Sequence, residues 1–293
     1  MIFAFQTKLA TKGFIEAFCN NSGHSVRYVS SKEDTGGEEF YNYSWPDFYG
    51  RIADENEICF QGLIRGTDRL KPFLKTHRFY YFDQPYFFYT HYRIHPKFDN
   101  TWMRVCVNDV QQTKIDTHPK HEQRYKELYE ISPEEIELLN WRKNGDHILV
   151  IPPSYHTAKW FEIDEKLWVN FIVQEIKKHT DRPIVVRWKY KDGARHGERV
   201  DTHRPLSEDL KNCWSMVSFH SMCASHAVRR GIPSFCTEYS PAAPVSLSLD
   251  EINNIENPLM PDREKWIYSL LGSQFMLREM QSGFAYEYLK DEL

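Results

Sequence analysis

Short apolar runs alternate with amphipathic stretches along most of the chain. The runs of strand length fall into two groups, 1–5, 26–29, 58–60 and 79–82 in the first half, and 147–151, 183–187, 215–217 and 232–236 in the second. Helical patterns lie between them, from Phe14, near 68–75, and over 165–178, 206–211 and 221–229. Strands that alternate with helices predict parallel sheets with helices on their faces. The pattern therefore predicts an α/β protein with two doubly wound domains.

The segment between the two groups gives the domain boundaries. Residues 84–120 are aromatic and irregular, whereas 121–130 and 133–143 have helical patterns, the second with Ser132 as cap and Pro133 at its first position. The tail, 262–290, is mostly helical in pattern. We therefore predict one domain over 1–143, a second over 144–261, and C-terminal helices over 262–293 that pack back across the domains.

Composition excludes several classes of protein. The net charge is −4, so there is no global attraction to nucleic acid, and the six cysteines contain no CxxC pair. No apolar run reaches the ~18 residues that span a bilayer, and the amino terminus lacks the order of a signal peptide. We expect a cytoplasmic protein with buried free thiols, in which the final KDEL letters are a coincidence. Motifs of P-loop kinases, dinucleotide dehydrogenases, serine hydrolases and zincins are absent, and we predict no metal.

The strongest candidate for chemistry is the segment 214–233. It has the pattern of a strand, a polar loop, a helix, a glycine stop and a new strand. Ligands of parallel α/β sheets bind at the carboxyl ends of strands, where Ser218, His220 and Ser221 would lie. Backbone N–H groups at the start of the helix would favour a phosphate there. The alternative is a helix cap without a ligand.

Two further strand ends carry polar groups. Ser154 follows the strand 147–151 and two prolines, and an ordinary turn explains it equally well. Arg187 and Lys189 follow the strand 183–187 and could neutralise a diphosphate. The polar loop downstream carries Arg195, Arg199, His203 and Arg204, and a solvated hairpin is its alternative.

The first domain offers a candidate base and several candidate contacts to a second substrate. Asp83 ends the strand 79–82 and could remove a proton from an acceptor hydroxyl, or could be a turn carboxylate. The candidate acceptor contacts are Lys8, Lys12, Arg65, Tyr86, His91 and Arg93.

Residues 213–245 resemble the donor-binding segment of two-domain, GT-B type glycosyltransferases. The matching residues are Val217-Ser218, His220-Ser221 and Gly231-Ile232-Pro233. The glutamate common late in that helix is replaced by His226, and Glu238 could act in its place. The resemblance implies two Rossmann-like domains that face a cleft, with a UDP- or CMP-linked sugar on 144–261, an acceptor on 1–143, and no required cofactor or metal. The stretch IRGTD…YYFDQPYF and the tail also resemble phage and bacterial proteins of this general type.

Two acceptor classes remain, and we predict the first. A hydroxymethylated pyrimidine in phage DNA would suit aromatic residues 86–92 and the basic residues Lys8, Lys12, Arg65, Lys71, Lys75, His77, Arg78, Arg93, His95 and Lys97. The alternative is a capsule or lipopolysaccharide glycan. A non-catalytic nucleotide-binding protein is a third possibility, and it would need no base at Asp83. The sequence does not decide between inversion and retention.

Overall fold

The computed structural model describes residues 1–6, 9–30, 52–63, 67–88, 101–189 and 205–292. The chain divides into two compact units. Unit 1 comprises Met1–Val110 and Ser273–Leu293, and unit 2 comprises Gln111–Gly272. Both boundaries differ from those predicted, since unit 2 begins well before residue 144 and the tail is shared between the units. The predicted α/β class is confirmed.

Unit 1 contains a six-stranded sheet in the order β10-β5-β4-β3-β1-β2. The strands are β1 (Ile2–Gln6), β2 (Val26–Ser30), β3 (Glu57–Gln61), β4 (Phe79–Asp83), β5 (Trp102–Val107) and, from the tail, β10 (Gln274–Met276). Strands β2, β1, β3 and β4 are parallel, whereas β5 runs antiparallel to both β4 and β10. Strands β5 and β10 were not predicted.

The helices of unit 1 are α1 (Leu9–Asn20), α9 (Leu277–Gln281) and α10 (Phe284–Leu289), the last two from the tail. The ring of Phe18 on α1 lies 5.0 Å from Tyr80, 5.2 Å from Phe82 and 5.5 Å from Tyr286, in edge-to-face geometry. These contacts join α1, the sheet and α10 in one core. The helix predicted near 68–75 is instead two 3₁₀ turns, Thr67–Leu70 and Phe73–Lys75, on either side of Pro72.

Unit 2 contains a fully parallel sheet in the order β7-β6-β8-β9. Its strands are β6 (His147–Ile151), β7 (Ile184–Val186), β8 (Cys213–Ser218) and β9 (Ser234–Cys236). Its helices are α2 (Pro119–Ile131), α3 (Pro133–Ile136), α4 (Tyr155–Phe161), α5 (Glu165–Lys177), α6 (Leu206–Asp209), α7 (Cys223–Arg229) and α8 (Glu264–Gly272). Among the described residues, no helix combines the length and the apolar character needed to cross a bilayer.

The helical region 111–143 belongs to unit 2 because α2 packs against α8. The Nε of Arg124 donates to the Leu271 carbonyl at 3.2 Å, and the rings of Tyr125 and Tyr268 lie 4.7 Å apart. The helix predicted over 133–143 ends at Ile136, and the residues after it run as extended chain along the segment that leaves α7. Helix α4 follows β6 directly and was not predicted.

Candidate functional site

The order of strands in unit 2 creates a switch point at β6. The chain goes from β6 to the edge strand β7, then crosses to β8 on the other side of β6. In open parallel sheets, ligands bind in the crevice at the carboxyl ends of strands, at such a point. Ser218 lies level with Ile151 and Cys236 across the sheet. The loops after β6, β7 and β8 therefore begin at one edge, which we call the carboxyl edge of unit 2.

Ser154 has a local role at this edge. Its Oγ accepts a hydrogen bond from the backbone N–H of Thr157 at 3.3 Å and lies 3.0 Å from the Thr157 hydroxyl. It is the N-cap of α4, which satisfies one of the free N–H groups of that helix. Of the two interpretations of Ser154, the structure supplies contacts for the cap.

The two predicted cations differ in their surroundings. The guanidinium of Arg187 forms an ion pair with the carboxylate of Asp209 on α6, whose side chain is only 1% exposed. Asp209 therefore neutralises the charge that was predicted to face a diphosphate. Lys189, two residues on, is exposed. The polar loop with Arg195, Arg199, His203 and Arg204 lies outside the described residues.

The loop after β8 carries the three other predicted groups. Ser218 is fully buried, and its hydroxyl has no hydrogen-bond partner among the described residues. The Oγ of Ser221 accepts from the N–H of Cys223 at 3.2 Å, where α7 begins. His220 is buried, with its Nδ1 3.4 Å from Nε2 of Gln111. Helix α7 thus starts two residues later than predicted and has seven residues.

The groups that surround Cys223 show that the loops after β7 and β8 are neighbours. Burial raises the pKa of its thiol, while a hydrogen bond from Ser221 and the charges of Arg187 and Lys189 act in the opposite direction. Because the effect of a charge on a pKa weakens with distance, Arg187 and Lys189 must lie close to the Cys223 thiol. Of the six cysteines, Cys223 is half-buried and the other five are buried.

An aromatic cluster lies beside these loops. The ring of Phe161, at the end of α4, is 4.6 Å from Tyr239, 5.3 Å from Phe219 and 5.4 Å from His220. Tyr239 follows β9 and is 41% exposed. A hydrogen bond to Glu238 raises the pKa of the Tyr239 phenol. The sequence analysis did not find Phe161, Phe219 or Tyr239, because their grouping depends on the order of the strands.

Asp83 lies at the end of β4 in unit 1, as predicted. Its Oδ2 accepts from the Tyr81 hydroxyl at 2.7 Å and from Arg104 at 3.2 Å, and its Oδ1 accepts from the Gln84 N–H at 2.8 Å. The Arg104 side chain is 1% exposed and that of Asp83 is 33% exposed. The carboxylate is therefore fixed by three donors on one side and open to solvent on the other.

The residues predicted to contact an acceptor are only partly described. Tyr86 is fully buried, with the guanidinium of Arg104 over its ring at 4.9 Å, so this ring is not available to stack on a base. Lys12 forms an ion pair with Glu16 on the next turn of α1, at 3.5 Å. Lys8, Arg65, His91 and Arg93 lie outside the described residues.

An open depression of about 470 Å³ lies at the opposite, amino edge of the unit 2 sheet. It is lined by Asp146, His179, Thr180, Asp181, Arg182, Pro183 and Glu256. Two of these residues pair with each other, since Arg182 donates hydrogen bonds to the Glu256 carboxylate with N–O distances of 2.9, 3.0 and 3.2 Å. Because loops that bind ligands follow parallel strands, the carboxyl edge is the better candidate.

No family model and no curated protein matches the chain. Solved structures that resemble it include two of KpsC from Thermosulfurimonas dismutans. The beta Kdo 2,4 transferase is 10% identical, with 92% of this chain and 89% of that chain covered and a TM-score of 0.47. The beta Kdo 2,7 transferase is 11% identical, with 97% and 98% covered and a TM-score of 0.43. With TM-scores below 0.5, these likenesses decide neither the fold nor the function of this chain.

Proposed function

We propose that the protein is a glycosyltransferase whose nucleotide-sugar donor binds at the carboxyl edge of unit 2. The observation that carries the proposal is the switch point at β6, where the loops with Lys189 and with Ser218 to Cys223 come together. The resemblance of 213–245 to a donor-binding segment supports a sugar nucleotide as the ligand.

Each group at the edge has a proposed task. Lys189 neutralises the donor phosphates, and the hydroxyl of Ser221, which is half-buried at the start of α7, donates a hydrogen bond to one of their oxygens. The exposed ring of Tyr239 stacks on the base, supported from behind by Phe161. Arg187 holds α6 through Asp209 and contacts the donor only indirectly.

We propose a glycan hydroxyl as the acceptor in preference to DNA. The DNA prediction depended on a basic cleft in the first domain and on stacking aromatics. Among the described residues, Lys12 is paired with Glu16, Arg78 lies 3.6 Å from Glu57, His77 is buried and Tyr86 is buried. Three of the five basic residues that the structure describes there are therefore paired or buried, and so is the Tyr86 ring that favoured DNA.

Asp83 is the proposed base in unit 1. A carboxylate accepts the proton of an acceptor hydroxyl when it is ionised and fixed in direction. Hydrogen bonds from Arg104, Tyr81 and Gln84 fix the direction of the Asp83 carboxylate, and its side chain is partly exposed. Asp83→Asn should lower the turnover number at least about 100-fold and leave donor affinity unchanged.

Alkylation of Cys223 tests the donor site directly, because it is the one cysteine of the six that is not buried. Maleimide labelling is followed by peptide mass spectrometry, with and without UDP, CMP, GDP and their sugar conjugates. One nucleotide should slow labelling of Cys223, and Lys189→Gln should weaken that protection. Labelling that proceeds at the same rate with every nucleotide would count against the site.

A nucleotide-release assay then separates the acceptor classes. The protecting donor is incubated with capsule oligosaccharides or with duplex DNA that contains hydroxymethylated pyrimidines. Nucleotide release that requires the oligosaccharide supports the proposal. Nucleotide release that requires the DNA would show that the acceptor is a hydroxymethylated pyrimidine instead. Protection without release from either acceptor would favour a nucleotide-binding protein that is not an enzyme.

A further inference from the structure

Four arginines gather where the chain leaves α7 at the amino edge of the unit 2 sheet. The segment after α3 runs along this exit, with the N–H of Leu139 bonded to the Arg229 carbonyl at 2.9 Å and that of Arg142 to the Gly231 carbonyl at 2.8 Å. Arg263 reaches the same place and lies over the ring of Trp141 at 3.9 Å. We call Arg142, Arg229, Arg230 and Arg263 the arginine cluster.

Three members of the arginine cluster bond to neutral backbone carbonyls. Arg142 donates to the carbonyls of Leu210 and Cys213 at 2.7 and 3.2 Å. Arg229 donates to those of Glu134 and Glu137, both at 3.1 Å, and Arg263 donates to those of Leu139 and Val228. A carbonyl oxygen satisfies an N–H group but leaves the positive charge in place. In the described chain, no carboxylate forms an ion pair with any of the four.

Arg230 stands at the centre of this charge. It is half-buried, and its side chain makes no hydrogen bond or ion pair with a described residue. Burial lowers the pKa of Arg142, and the positive charge of Arg230 lowers it further. Burial also lowers the pKa of His226, and the charges of Arg229 and Arg230 add to that effect. Glu135 and Glu137 offset part of the charge of Arg229, and Asp262 part of that of Arg263. No carboxylate acts in this way on Arg142.

The cluster also contains an N–H group that is prepared for an acceptor. Nε of Arg229 is buried and has no hydrogen-bond partner among the described residues, and its side chain is only 7% exposed. Guanidinium groups bind oxyanions through two parallel N–H donors and keep their charge when buried. An oxyanion beside Arg230 would satisfy that charge and reduce the repulsion among its neighbours.

We propose that the arginine cluster is a binding site for a phosphate group, with Arg230 as its principal contact and Arg142 beside it. The site lies at the amino edge of the sheet, so it is separate from the donor site proposed at the carboxyl edge, and it does not depend on the proposed function. Its compact, half-buried form fits a small phosphate or a sugar phosphate better than a polymer.

Thermal unfolding with inorganic phosphate tests the site. Sodium phosphate is compared with sodium chloride at equal ionic strength, so that screening is the same in both. Phosphate should raise the unfolding temperature of the wild-type protein above its value in chloride. Arg230→Gln and Arg230→Ala should weaken phosphate binding about 10-fold, the effect of one charged hydrogen bond. Both variants should fold, because the Arg230 side chain makes no hydrogen bond with the described residues.

Two charge-matched controls decide where the phosphate binds. Lys166→Gln removes an exposed charge on α5, elsewhere in unit 2, and Lys189→Gln removes one at the carboxyl edge. Lys166→Gln should keep the wild-type response to phosphate, and Lys189→Gln should keep the part of that response that the Arg230 variants lose. The proposal is overturned if phosphate and chloride act alike, if the response survives in both Arg230 variants, or if only Lys189→Gln abolishes it.

Discussion

The backbone at Gly231 restricts which residue the position can hold. Its φ is +74°, and a Cβ there would overlap the carbonyl oxygen of Asn140. Both the conformation and the contact therefore require glycine, at the turn between α7 and β9. Gly231→Ala should lower the free energy of unfolding by at least about 2 kcal/mol.

Gly13 is the matched control for that substitution. It lies inside α1, and a Cβ there meets no atom within 4 Å. Because glycine weakens a helix interior, Gly13→Ala should raise the free energy of unfolding by about 0.5–1 kcal/mol. Urea titration of both variants checks the pair, and equal effects at the two positions would contradict this interpretation.

His226 makes the stability of the fold depend on pH. Burial, followed by the charges of Arg229 and Arg230, lowers its pKa from 6.5 to about 4. Between these two values the unfolded chain binds a proton that the folded chain does not, so stability falls as the pH falls. The loss on going from pH 7 to below 4 should be on the order of 3 kcal/mol. His226→Leu should flatten this slope in urea titrations, and a slope equal to that of the wild type would contradict the prediction.

At the scale of elements, the sequence predicts the strands that pair in parallel and misses β5 and β10, which pair with each other in antiparallel orientation. The strands β1, β3, β4 and β6 lie within a residue of their predicted positions. Strand β5 was missed because its run, WMRVCV, lies inside the aromatic stretch 84–120, which was predicted to be irregular as a whole. Strand β10 has three residues inside a helical tail, and only its pairing with β5 reveals it.

The candidate site was predicted in part for the same reason. Local patterns place Ser218, Lys189 and Asp83 at strand ends, because the ends of strands are visible in the sequence. The partners of those groups come from distant segments. Asp209 neutralises Arg187, and Arg104 fixes Asp83, and neither pair has a signal in the sequence. The contacts that separate a structural charge from a functional one are therefore the least predictable.

The ion pair between Arg187 and Asp209 allows the difference between a structural and a functional charge to be measured. It joins the end of β7 to α6, and Asp209 is buried. Asp209→Asn should lower the free energy of unfolding by about 3 kcal/mol, because it leaves Arg187 without its counter-charge. Lys189→Gln should change it by less than about 0.5 kcal/mol, since Lys189 is exposed. Chemical denaturation checks both, and a destabilised Lys189→Gln would show that Lys189 is structural.

At the scale of the whole molecule, the chain forms two α/β units with different sheets. Unit 1 combines four parallel strands with β5, which runs antiparallel to them, and the tail supplies the edge strand β10, which runs antiparallel to β5. Unit 2 is fully parallel and has the switch point. The predicted cleft between two Rossmann-like domains stays a prediction. The binding function is proposed for unit 2, which has the carboxyl edge with Lys189, Ser218 and Tyr239.

The most direct test of that claim is thermal unfolding with a panel of UDP, CMP, GDP and their sugar conjugates. A nucleotide at 100 times its dissociation constant should stabilise the fold by about 2.7 kcal/mol. We predict such a shift for one donor in the wild-type protein, unchanged in Lys265→Gln and reduced in Lys189→Gln. The absence of a shift with every nucleotide, or a shift that Lys189→Gln leaves intact, would contradict donor binding at the carboxyl edge of unit 2.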